Sequence, residues 1–252
     1  MTLSYKWYDF DTTCRYCECR GKECLPEVCS VCKGTGYGLF SAHVLSQSGL
    51  LIKGLSKLAI EVHRDNVQAG WWTNIETGEN LLLTRDRLSM LMLCVTELSE
   101  AEEADWLSSM DDKLPNHPGL HVELADTCIR LLDLIGAESI ASGREVLLIE
   151  ADGIRAKSVE DIYWEYVNTG SLYTQGDLML IVRDLSKAAE AYRKKDRDKA
   201  RVWLTTTLFR CIAYAAWNDI PLFDIIEEKR EFNRNRADHK IENRRKDGGK
   251  KV

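Results

Sequence analysis

Two stretches of the chain pair acids three residues apart: Glu97 with Glu100, and Glu123 with Asp126. Both sit in apolar-periodic runs that predict helices, Met90 to Ala101 and His121 to Leu134. Residues three apart on a helix share a face, so each pair projects together. Two such helices side by side would bring four carboxylates to one place. Carboxylates gathered without a cation repel one another and are costly to desolvate. An all-oxygen ligand set suits a hard cation, magnesium first and manganese as its substitute. The ordinary reading of paired acids is a solvated face. On the first helix they lie in line with Met90, Leu93 and Cys94, an apolar stripe that should be buried, which speaks against that reading. On the second they share a side with Arg130 and Asp133, away from Leu124, Cys128, Leu131 and Ile135, and that pair alone could be plain surface. Glu103 follows near the first pair, as an extra ligand or base, or as a residue in solvent.

Glu-x-x-Glu, a loop holding Pro115 and Pro118, then Glu-Leu-Ala-Asp leading into an apolar helix resembles the MazG-like all-α nucleotide pyrophosphatases. That group includes the dimeric dUTPases and dCTP pyrophosphatases. The resemblance spans roughly Leu50 to Lys240 and omits the amino-terminal segment. It implies an all-α helical bundle and magnesium-dependent cleavage of a nucleoside triphosphate to the monophosphate and pyrophosphate. Glu97, Glu100, Glu123 and Asp126 would then be metal ligands and catalytic groups.

The elements that must position these acids read as follows. Leu51, Leu55, Leu58 and Val62 recur at helical spacing and predict a helix from Ser48 to Gln68. His63 lies on it, and Gly70-Trp71-Trp72 follow. Adjacent tryptophans after a helix serve either as a lid on the core or as a flat face for a nucleobase, whose edge His63 could hydrogen-bond. In similar dCTP pyrophosphatases a histidine and a tryptophan nine residues later line the base pocket. His63 and Trp72 have that separation, and Trp71 could take the role instead. Trp106 is a further candidate for the pocket wall, against the commoner reading of a lone aromatic as core. Asn74 to Asn80 is a loop, and Thr84 is a candidate cap for a helix running to about Ser109. Asp111 to Gly119 is a loop before the second acidic helix, His121 to Ile135. Val146 to Ile149 is either a short strand or a helix, and helix fits the neighbourhood better. Val159 to Val167 reads as helix and Gly170 to Gly176 as loop. The closing helix runs from Leu222 past Asn235. Lys229, Asn233 and Arg236 fall on one stripe of it, similar to the family's terminal Lys–Asn–Arg pattern. They would face a triphosphate, or form a charged outer face.

Arg183 to Ala191 echoes Thr96 to Ala104, and Val202 to Arg210 echoes Val122 to Arg130. Under this alignment Glu97 becomes Asp184, Glu100 becomes Lys187, Glu123 becomes Trp203 and Asp126 becomes Thr206. The expected organisation is a tandem pseudo-repeat over 48–240, with an active half at 48–136, a degenerate half at 170–240 and a basic tail at 241–252.

Ahead of it, residues 1–41 hold Cys14-x-x-Cys17 and Cys29-x-x-Cys32 with eleven residues between the knuckles. That spacing predicts a zinc-ribbon-like segment with one structural zinc on four thiolates. The following Lys33-Gly34-Thr35-Gly36 resembles the zinc-binding repeats of DnaJ-type chaperones in this short motif. Cys19 and Cys24 are spare, as alternative ligands or part of a second site. The segment could contact nucleic acid or protein, or only brace the fold. Cys94, Cys128 and Cys211 stand singly on apolar faces, the pattern of small buried hydrophobes.

A net charge of −6 gives no general reason to expect nucleic-acid binding. There is no apolar signal region or run long enough to span a membrane, so the expectation is a cytoplasmic protein with reduced thiols. The expected activity is a nucleoside triphosphate pyrophosphohydrolase, with assembly into a homo-oligomer left open. The alternative is a non-catalytic helical protein that binds a nucleotide or a partner.

Overall fold

Apolar residues at intervals of three and four build the chain from helices. The computed structural model describes residues 48–169, 174–237 and 241–245. Along them run α1 (Ser48–Gln68), α2 (Arg87–Leu107), α3 (Gly119–Ser142), β1 (Glu150–Ala151), β2 (Ile154–Arg155), α4 (Val159–Thr169), α5 (Thr174–Arg193), α6 (Arg197–Trp217), α7 (Leu222–Asn235) and α8 (Ile241–Arg244). The chain is thus essentially all-α. Its strands are a two-residue antiparallel hairpin pairing Glu150 with Arg155 and Ala151 with Ile154. No described helix is long and apolar enough to cross a membrane.

The centre is two helical hairpins, α2–α3 and α5–α6, joined through contacts of α2 with α5 and of α3 with α6. α1 lies on α3 as α4 lies on α6, so each half is a hairpin with one covering helix. α7 packs on α3. The inner helices are buried nearly all round, α3 from Val122 to Ala125 and again from Leu131 to Ser139, α6 from Leu204 to Ala216. The outer pair buries matching stripes. Leu91, Cys94, Glu97, Leu98 and Ala101 of α2 correspond to Leu178, Ile181, Asp184, Leu185 and Ala188 of α5. The sequence echo also extends further back than its acidic part, through Leu91-Met92-Leu93 and Leu178-Met179-Leu180.

Buried charge ties the halves together. Glu138 of α3 is clamped by Arg87, whose Nε donates at 2.7 Å, and by Arg197, which donates at 2.9 and 3.1 Å. Burial alone would raise the Glu138 carboxyl, but the two guanidiniums outweigh it and hold it below the usual range. Gly136 lets α1 approach α3. A Cβ there would stand 2.6 Å from the Ala59 carbonyl oxygen and 2.8 Å from His63 Cβ.

Several expectations need correction. Asp86, not Thr84, caps α2, its carboxylate accepting from the backbone N–H of Leu88 and Ser89. α3 extends to Ser142, well beyond Ile135. Residues 146–149 are neither helix nor strand, and the small hairpin begins just after them. Thr174 to Gly176 belong to α5 rather than to a loop. Cys14, Cys17, Cys29 and Cys32, and with them the zinc expectation, lie outside the described residues, as do Cys19 and Cys24. Cys94, Cys128 and Cys211 are buried free thiols, as their apolar settings imply.

Candidate metal centre

The α2–α3 hairpin sets the acids opposite each other. Its two helices close tightly at Gly119, where a Cβ would stand 2.7 Å from Ala104 Cβ. Glu97 falls in the buried stripe of α2, and Glu100 emerges into solvent one turn on. Glu123 is buried on α3. Carboxylate oxygens of Glu97, Glu100 and Glu123 all lie within 4.8 Å of one another, close enough for one cation to bridge. The bland reading of the α3 acids as plain surface does not hold, because α3 is the innermost helix of its half.

The four predicted acids are not equivalent. Arg130 Nε donates to Glu97 Oε1 at 2.7 Å, and its terminal nitrogen also reaches that oxygen. Burial acts against the Arg130 charge, but the Glu97 carboxylate more than offsets it and raises the guanidinium pKa. Asp126 is held by Lys229 of α7, with Nζ 2.8 Å from Oδ2. Lys229 is 2% exposed. Burial raises the Asp126 carboxyl above its ordinary value, with Lys229 opposing. Glu100 and Glu123 have no ion pair among the described residues. Burial, a hydrogen bond with Glu97 and the charge of Asp126 push the Glu123 carboxyl up to about 8. Glu103 is exposed.

Further along α3, Asp133 organises a second group of side chains. Its carboxylate accepts from the Trp72 indole N–H at 2.9 and 3.2 Å and lies 2.7 Å from His63 Nδ1. That partner favours the proton on Nδ1 and leaves Nε2 as the acceptor of the ring. His63 and Trp72 meet edge to face at 4.8 Å between ring centroids. Both line a cavity of about 280 Å³ with Ile60, Arg64, Val67, Asn80, Leu82 and Ile140. Seven residues of helix separate Asp126 from Asp133, a rise of about 10 Å, so the cavity and the acids share a helix but not a position.

The geometry brings some candidates together and leaves others apart. Trp72 is 1% exposed, with the guanidiniums of Arg85 and Arg87 each 5.3 Å from its ring, so its face is already covered. As a free stacking platform it does not stand; it is part of the cavity floor. Trp71 is likewise covered, by the Arg244 guanidinium at 3.6 Å. Trp106 is 77% exposed and does not line the cavity. Asn233 sits one turn beyond Lys229, with its Oδ1 buried and without a hydrogen-bond partner. Arg236 closes α7 with its guanidinium 5.7 Å from the Phe232 ring. Two residues gain roles that spacing did not give them: Arg130 as the partner of Glu97, and Asp133 as the joint between His63 and Trp72. Comparison of the chain with family models, curated proteins and solved structures gave no match.

Proposed function

We propose that the chain is a MazG-like, divalent-ion-dependent nucleoside triphosphate pyrophosphohydrolase whose centre is Glu97, Glu100, Glu123 and Asp126. The observation that carries this reading is Glu123. It is buried against two other carboxylates, has no ion pair of its own, and its carboxyl is pushed up to about 8. Such a group needs either a proton or an ion, and an oxygen-only set favours magnesium or manganese. A bound magnesium would supply charge for phosphate oxygens and acidify a water. Glu97 is pre-set for ligation because Arg130 fixes its carboxylate. Glu100 stands at the solvent edge, where a triphosphate would arrive. Lys229 would set an ammonium beside the phosphates, reached by parting from Asp126. His63, oriented by Asp133, and the apolar cavity it lines with Trp72 would receive the base. Asn233, one turn after Lys229 on α7, and Arg236, in extended backbone just past the helix end, would form the remaining polar wall.

The Lys229–Asp126 pair favours a second reading, a nucleotide-binding protein without turnover, because it withdraws one of the four acids. Magnesium-dependent pyrophosphate release from a panel of dNTPs and NTPs separates the two. Turnover on one of them, lost in Glu100→Gln with the helical circular dichroism unchanged, is the expected result. Nucleotide binding with no turnover on any member would leave the binding protein.

A further inference from the structure

The second half holds a side-chain arrangement that matches the candidate centre position by position. Arg210 Nε donates to Asp184 Oδ2 at 2.5 Å, as Arg130 Nε donates to Glu97. The Thr207 hydroxyl donates to the Trp203 carbonyl at 2.8 Å, as Thr127 donates to the Glu123 carbonyl at 3.0 Å. The matching acids Glu97 and Asp184 are both buried, and the matching positions 100 and 187 are both exposed. Where the first half has Glu100 opposite Glu123, the second has Lys187 opposite Trp203, with Nζ 5.1 Å from the ring centroid. One half presents two carboxylates that need a positive charge between them. The other supplies a positive charge and a π-face to receive it.

We infer that the second half is an ion site closed by its own side chains: the Lys187 ammonium, lying on Trp203, takes the place a divalent ion would take between Glu100 and Glu123. This rests on the reading of the first-half acids as an ion site. The α5–α6 hairpin keeps its Asp184–Arg210 clamp and needs no ion. Among the described residues the two hairpins therefore share one ion centre, and the second half serves as its permanent, already charge-balanced partner. Both halves keep an acid at the first position, Glu97 or Asp184, and three exchanges separate the rest. Lys187 and Trp203 stand where Glu100 and Glu123 do, and Thr206 stands for Asp126, at a spot where α7 brings no lysine.

Mn2+ titration of the full chain, followed by electron paramagnetic resonance, tests this directly. The triple variant K187E/W203E/T206D, folded by circular dichroism, should bind twice as many Mn2+ ions per chain as the parent. A folded triple variant with the parent's stoichiometry overturns the inference. A parent that binds no Mn2+, even with nucleotide, overturns the ion reading of the first half and the inference with it, a result distinct from the former. Should the triple variant fail to fold, the converse exchange decides. In EDTA, E100K/E123W should melt about 2–4 °C above E100A/E123A, the shift for roughly 1 kcal/mol of ammonium–indole attraction. Equal melting temperatures, or the reverse order, would show that an ammonium on an indole does not fill the place of an ion here.

Discussion

The α2–α3 and α5–α6 hairpins carry the same arginine–acid pair in matching places and differ in what surrounds it. Around Glu97 and Arg130 stand more acids, and part of the arginine is in water, with 39% of its side chain exposed. Around Asp184 and Arg210 the surroundings are sealed, and each partner is 1% exposed. Glu165 also approaches Arg210, at 3.4 Å. The pair that both halves retain is thus a way to seat an acid inside a helical hairpin, whether or not that acid goes on to meet an ion. The features that only the first half has are the ones open to chemistry: the bare Glu123, the exposed Glu100 and the lysine delivered by α7.

Removing the arginine from each half is the strongest way to break this comparison. Arg210→Ala leaves the buried Asp184 carboxylate with Arg183 alone, a half-exposed guanidinium 3.2 Å away, and should cost roughly 3 kcal/mol in urea denaturation. Arg130→Ala, at a site water can enter, should cost about 1–3 kcal/mol. Equal losses would mean that the two clamps are the same kind of device. Ion affinity should respond in the first half alone. Arg130→Ala releases Glu97 from its fixed pose and should weaken Mn2+ binding roughly 10–100-fold, whereas Lys187→Met, in the closed half, should leave that affinity unchanged in a calorimetric titration.

A pH series sharpens the contrast. In the folded chain the Glu123 carboxyl is raised from 4.5 to about 8. Between these values the folded state holds a proton that the unfolded state releases, so this group's contribution is fully present below 4.5 and is lost as pH rises through about 8. Melting temperatures in EDTA should therefore fall across that window. Glu123→Gln should flatten the fall, and saturating Mg2+ should do the same in the parent. Substitutions at Trp203, the matching position, should leave the slope in place. The smallest effect belongs to Lys187→Met, whose lost contact with the Trp203 ring is worth about 0.5–1 kcal/mol at an exposed site. A loss several times larger would show that Lys187 has further partners.

Much of the helical framework was legible from residue order. Leu51, Leu55, Leu58 and Val62 mark α1, and its observed ends are those the pattern predicts. α7 likewise begins at Leu222 as expected, but it stops at Asn235 instead of running past it, which leaves Arg236 in extended backbone off the Lys229–Asn233 stripe. Where periodicity is absent the reading failed: Val146 to Ile149 is an unbroken apolar run, which fits a helix, a strand or a packed loop equally well. The α2 cap was misplaced because Thr84 and Asp86 are both good capping residues, and only the backbone shows which one bonds the free N–H groups. At the centre, three-residue spacing identified the acids on each helix, but spacing within one helix says nothing about partners on another. Glu97 and Arg130 are 33 positions apart, and Asp133 reaches back 61 to Trp72 and 70 to His63. The internal echo did contain a signal for the first of these. It sets Arg130 opposite Arg210 in the same alignment that sets Glu97 opposite Asp184, and an arginine kept together with its acid in both copies is what a cross-helix clamp would leave in the sequence.

Lys229 meets Asp126 from a helix more than a hundred residues downstream of it. During synthesis the ribosome has therefore made both hairpins, with every acid of the centre in place, before it adds the ammonium that neutralises one of them. A nascent chain halted ahead of α7 would carry the full negative cluster with no lysine against it. The finished polypeptide differs from such a fragment at this spot by a single charge supplied last.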